Sequence, residues 1–75
     1  MSVDELTAQL VWLLDQLAGV YEAYSSDGKE RPYKDPFDGA ISQGDYIWRL
    51  NDRINSTRIA LSCRTEIAKI NAPKV

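Results

Sequence analysis

The sequence predicts an all-α fold: an antiparallel helical hairpin with a long ordered loop, associating into a homo-oligomeric helical bundle. Three observations carry this. Apolar residues recur at Val3, Leu6, Leu10, Leu13, Leu17, Val20 and Tyr24 in alternating steps of three and four, the seam of helices that pack side by side. From Tyr46 to Ile70 no Gly or Pro interrupts the chain, and apolar residues again fall at helical spacing. Finally, a chain of 75 residues with one cysteine and no histidine has neither an internal disulfide nor a zinc site to support a small core. Self-association or a partner is the remaining source of burial. The expected organisation is one domain over 1–75, with a helix over about 3–24, a loop over about 25–42 and a helix over about 43–71.

Ser2 and Glu5 form an S-x-x-E capping box that starts the first helix at Val3. Leu14 and Tyr21 widen its apolar seam, and Val11 and Ala18 extend it, a width that suits a bundle better than a two-stranded coil. Gly19 costs about 1 kcal/mol inside the helix, tolerable if a neighbour packs closely there. Trp12 projects away from the seam, beside Glu5, Gln9 and Gln16. A bulky aromatic on a polar face is a candidate interface anchor, since Trp is enriched at binding hot spots.

Gly28 ends the first helix, because glycine readily takes positive φ. Seventeen residues, Ser25 to Ile41, then connect the helices, where such links usually run about 2–8. Pro32, Tyr33, Pro36 and Phe37 alternate with charges, so the loop is expected to pack on the helices, with Tyr33 and Phe37 either plugging the open end of the hairpin or facing a partner. Asp38-Gly39 reads as a turn. An EF-hand alignment fails, because it puts Lys34 and Pro36 at the first two ligand positions.

Ser42 with Asp45 resembles a weaker capping box and starts the second helix near Gln43, while Asn71 and Pro73 mark its end. This helix exceeds the first in length, so part of it must overhang or bend, and the polar run Asn51–Thr57 is its weakest stretch. Ile47, Leu50, Ile54, Leu61 and Ala68 share one stripe, and Trp48, Ile59, Cys63, Ile67 and Ile70 share another nearly opposite. A helix apolar on two faces is buried on two sides, one against the first helix and the other against a second copy or another protein. Cys63 is accordingly read as packing. Arg49, Arg53 and Arg64 occupy a third sector, either solvated, with an Asp45–Arg49 pair one turn apart, or forming an anion-binding stripe.

The chemistry this composition disfavours is broad. Without histidine the usual general base and the Ser-His and Cys-His dyads are missing, and no phosphate-binding glycine loop or C-x-x-C occurs. Nothing beyond their side-chain type supports metal-ion catalysis by Asp35 and Asp38. Residues 1–24 hold four acids and no base, whereas residues 42–75 hold three acids and six bases, and the net charge is −2. An acidic helix beside a basic one explains that split, and a sequence pI near 4.9 argues against nucleic acid.

The expected protein is cytoplasmic, with no membrane association, no cofactor and no enzymatic activity. It is a small interaction protein, an adaptor or stoichiometric inhibitor of a larger protein, a type common among phage and mobile-element inhibitors. Its candidate partner-binding residues are Trp12, Tyr33, Phe37, Trp48, Ile59, Ile67 and Ile70. One alternative is an oligomer that holds a small anion such as a nucleotide between subunits through Arg49, Arg53 and Arg64. A second is a self-assembling structural subunit.

Overall fold

The computed structural model of the chain describes residues 1–71. Its elements are α1 (Val3–Asp27), β1 (Tyr33–Asp35), β2 (Gly39–Ile41) and α2 (Gln43–Asn71). The two helices lie antiparallel, and the strands pair antiparallel with Tyr33 opposite Ile41, Lys34 opposite Ala40 and Asp35 opposite Gly39. The fold is thus a mostly helical hairpin with a small two-stranded sheet in its connection. Pro73 and the rest of 72–75 lie outside the described residues, so the expected terminator of α2 does too.

α1 begins as its sequence dictates. The Glu5 N–H donates to Ser2 Oγ at 3.2 Å, and the Ser2 N–H donates to Glu5 Oε1 at 3.3 Å. This satisfies two of the amides that a helix start leaves unpaired. The helix runs three residues past the expected Tyr24 and ends at Gly28, whose φ of 66° lets its N–H return to the Tyr24 carbonyl at 2.7 Å.

The expected ordered loop contains a short β-hairpin, and its cause is local. Asp35-Pro36-Phe37-Asp38-Gly39 supplies a proline that fixes φ and a glycine at φ 70°. The Asp35 carboxylate bridges the bend by accepting the Phe37 N–H at 2.9 Å and the Asp38 N–H at 3.0 Å. An Asp side chain bonded to amides two and three residues on is itself a turn former.

α2 starts at Gln43, where the Asp45 N–H donates to Ser42 Oγ at 3.2 Å. The buried Gln43 side chain accepts the Arg31 N–H at 3.2 Å and so ties the incoming chain to the helix start. α2 is continuous through the polar run Asn51–Thr57, because α1 supports that run. Ile54 and Thr57 are buried, and Thr57 Oγ1 donates to the Arg53 carbonyl at 2.8 Å while accepting from Gln9 Nε2 at 3.2 Å.

The core is small. Leu13, Val20, Leu50 and Ile54 form its centre, with Leu10, Leu17, Tyr33, Tyr46 and Ile47 packed around them and Leu6 buried near one end. Tyr33 stacks on Tyr46 with ring centroids 4.5 Å apart and closes the hairpin end. The flank of the α1 stripe, and the two ends of its seam at Val3 and Tyr24, find no cover among the described residues. Val3, Val11, Leu14, Tyr21 and Tyr24 are exposed, and nothing lies within 4 Å of where a Cβ on Gly19 would sit, so no close neighbour explains that glycine.

The molecule measures 57 × 26 × 14 Å, one helix diameter deep. Leu6 and Ala60 line the same groove near the start of α1, so α2 extends about eight residues, some 12 Å, beyond its partner helix. Along this overhang both apolar stripes lack a neighbour among the described residues. Cys63, Ile67, Ala68 and Ile70 are exposed, and Cys63 is not a core residue of the chain.

Candidate functional site

Three sectors surround α2. α1 covers the first through Leu50, Ile54 and Thr57. The β-hairpin covers the second through Tyr46, Arg49 and Arg53. The third is bare, and it carries most of the exposed apolar residues of this helix.

The hairpin sector turns on Asp35, which is 4% exposed. Its carboxylate lies 3.2 Å from the Arg49 guanidinium and 3.9 Å from that of Arg53, while Arg49 also reaches Asp38 at 2.7 Å. The Phe37 N–H is the main influence holding the Asp35 carboxyl below the usual carboxylate range. The Asp38 N–H and the charges of Arg49 and Arg53 act in the same direction, against the opposing effect of burial. The hydrogen bond with Asp38 leads the causes that raise Arg49 above its ordinary value. Arg49 therefore pairs with the hairpin, and the expected Asp45–Arg49 pair is not among the described ion pairs.

This clamp sets the turn at one end of the molecule. Phe37, at the turn, is 88% exposed and does not join Tyr33 as a plug. The two loop aromatics thus divide: Tyr33 packs inward and Phe37 faces outward. Trp48, on the bare sector of α2 one residue from Arg49, is 68% exposed.

Further along the bare sector come Ile59, Cys63, Ile67 and Ile70. Ile59 is 65% exposed and Ile70 77%. Trp48, Ile59 and Ile70 recur every eleven residues, close to three whole helical turns, and so fall nearly on one line. Trp12 is exposed on α1, away from this line.

The three arginines do not form one anion site. Arg49 and Arg53 face carboxylates of the hairpin, and exposed Arg64 stands on the overhang of α2. A groove lies between the later half of α1 and the tyrosine stack. Its lining includes Asp15, Glu22, Gly19, Tyr33 and Tyr46, whose charges are both negative. Among the described residues no group of three or more His, Cys, Asp or Glu could hold a metal ion, and no helix is long and apolar enough to cross a membrane.

Reading the sequence identified Trp12, Tyr33, Phe37, Trp48, Ile59, Ile67 and Ile70 as candidates; Tyr33 packs against the core, and the other six are exposed. It overlooked Asp35 as the organiser of the hairpin. The available signal was the string Asp-Pro-x-Asp-Gly, in which the first Asp can bond the turn amides.

The chain matches no protein-family model, and comparison with curated proteins and with solved structures finds no match either.

Proposed function

We propose that the chain is a non-enzymatic interaction module, an adaptor or stoichiometric inhibitor. It works as a homo-oligomer and binds a larger protein, the two contacts sharing the outer sector of α2 and the hairpin turn. The observation that supports this most directly is the bare apolar sector itself: Trp48, Ile59, Ile67 and Ile70 on one continuous helix, with Phe37 beyond them. Large apolar side chains exposed together mark interaction sites in soluble chains. Aromatic anchors such as Trp and Phe are enriched where interfaces bury their cores.

Binding of a small anion has less support. Arg49 and Arg53 already face Asp35 and Asp38, and an arriving phosphate would have to displace those carboxylates.

The test is capture from a lysate of the source organism with three baits: the native chain, a Phe37→Ser/Trp48→Ser double variant, and a Lys34→Ala control. The expected result is a protein retained at fixed stoichiometry by the native chain and the control, and lost by the double variant. Equal retention by all three baits would refute the assigned surface.

A further inference from the structure

The geometry points to a second copy of this chain as the occupant of the C-terminal part of the bare sector, docked so that the two α2 helices run antiparallel about a two-fold axis at Cys63. This rests on the homo-oligomer reading above and specifies its interface, leaving Phe37 and Trp48 outside it for the larger protein.

Surface area is the first argument. A compact monomer of 8.5 kDa exposes about 4,700 Å². This chain exposes 5689 Å². The excess, about 1,000 Å², is comparable to the roughly 800 Å² that each partner buries in a standard interface. The radius of gyration points the same way, at 16.3 Å against about 11 Å for a compact chain of this length.

The pattern of residues argues for a copy of itself. Counting about 100° per residue, Ile59 and Ile67 lie about 40° to either side of Cys63, with Ser56 and Ile70 about 20° to either side. Between Ser56 and Ile70 no charged residue lies within that stripe, and Asp52 stands on its continuation one turn beyond Ser56. Across a two-fold interface one residue meets another and the reverse contact repeats it, and only residues on the axis meet their own equivalents, so like charges there would repel and a neutral apolar centre suits it. With the axis at Cys63, Ile59 meets the partner's Ile67, Ile70 meets the partner's Ser56, and the two Cys63 side chains face each other.

The overhang makes this pairing accessible. The stripe lies on the side of α2 away from α1, and from about residue 64 onward α1 no longer flanks the helix. The described end of α2, Asn71, would come opposite the partner's Asn55. Trp48 lies about two turns further on, uncovered by the partner's described helix.

The experiment is mass measurement by sedimentation equilibrium from micromolar to millimolar chain, joined to oxidative cross-linking. The native chain is expected to reach a fixed mass of twice 8.5 kDa and hold it as concentration rises. Ile67→Asp puts a carboxylate against the partner's Ile59 and should weaken the dimer more than about tenfold. Because Ile67 is exposed in the single chain, its circular dichroism should remain helical. Phe37→Ser and Trp48→Ser should leave the mass unchanged.

Under mild oxidant the native chain should form a covalent dimer much faster than a Cys63→Ser/Lys69→Cys variant, whose thiol lies about 120° around the helix. A single-chain mass at every concentration would overturn both this interface and the homo-oligomer reading. A fixed dimer that ignores Ile67→Asp, or cross-links equally from position 69, would overturn this interface alone. A mass that climbs without limit would replace the closed dimer with a polymer.

Discussion

The Asp35 carboxylate and the Arg49 guanidinium meet at 3.2 Å and join the β-hairpin to α2. The same carboxylate closes the turn from which Phe37 projects. One side chain therefore both shapes the hairpin and fixes where it sits.

Acid should expose this dependence. The folded-state pKa of Asp35 lies below its unfolded value, so its contribution is fully present above the ordinary value of about 3.9 and is lost as the pH falls through the folded pKa. The melting temperature of the native chain should drop as the pH falls below about 4. Asp35→Asn should melt lower at neutral pH and show a shallower acid slope. Glu5, depressed mainly by hydrogen bonds with Ser2, keeps some of that slope. Identical slopes for the two chains would show that Asp35 does not carry the effect.

The small core leaves stability concentrated in few positions. Leu13→Ala, at a site 2% exposed, should cost about 2–5 kcal/mol by urea unfolding, enough to unfold much of so small a chain. Trp48→Ala should change the stability of the isolated chain by within about 0.5 kcal/mol despite removing a larger side chain. A large loss at Trp48 would mean that its ring packs within the fold.

Two glycines should respond in opposite directions. A Cβ at either Gly19 or Gly39 meets nothing within 4 Å, so backbone conformation alone decides. Gly39 holds φ 70°, and Gly39→Ala should cost about 1–2 kcal/mol. Gly19 lies inside α1, and Gly19→Ala should gain about 0.5–1 kcal/mol. Thermal unfolding of the pair checks this, and a destabilised Gly19→Ala would mean that something in solution packs against that bare spot.

Nucleotides should not stabilise the chain. A ligand bound to the native state raises its melting temperature, and millimolar ATP or GTP should leave it unmoved because Arg49 and Arg53 are already paired. A rise of several degrees that Arg53→Ala abolishes would revive the anion-binding reading.

Much of this architecture was legible because its signals are local. Ser2 and Glu5 bond each other across one helical turn, Gly28 caps as its lack of a Cβ allows, and the apolar spacing locates Leu13, Val20, Leu50 and Ile54. The hairpin was not legible by periodicity. Tyr33–Asp35 and Gly39–Ile41 are three residues each, too short for alternation to register. The clamp was hidden for another reason. From sequence, Arg49 has Asp45 one turn away, and only the return of the hairpin over α2 brings Asp35 and Asp38 closer. The exposed flank of α1 is the converse case, since a wide apolar stripe shows that cover is needed without showing whether the same chain provides it.

The continuity of α2 has a consequence for assembly. One unbroken helix makes a rigid ruler: its two ends are held at a set distance and a set rotation, and the hairpin fixes the zero mark. From Trp48 to Ile70 the span is about 33 Å. Each residue inserted after Ser62 would lengthen it by about 1.5 Å and turn the far end by about 100°. Seven added residues would nearly restore the original facing at a separation about 10 Å greater. Anything that grips both ends must therefore match a fixed spacing and angle, which the helix geometry alone sets.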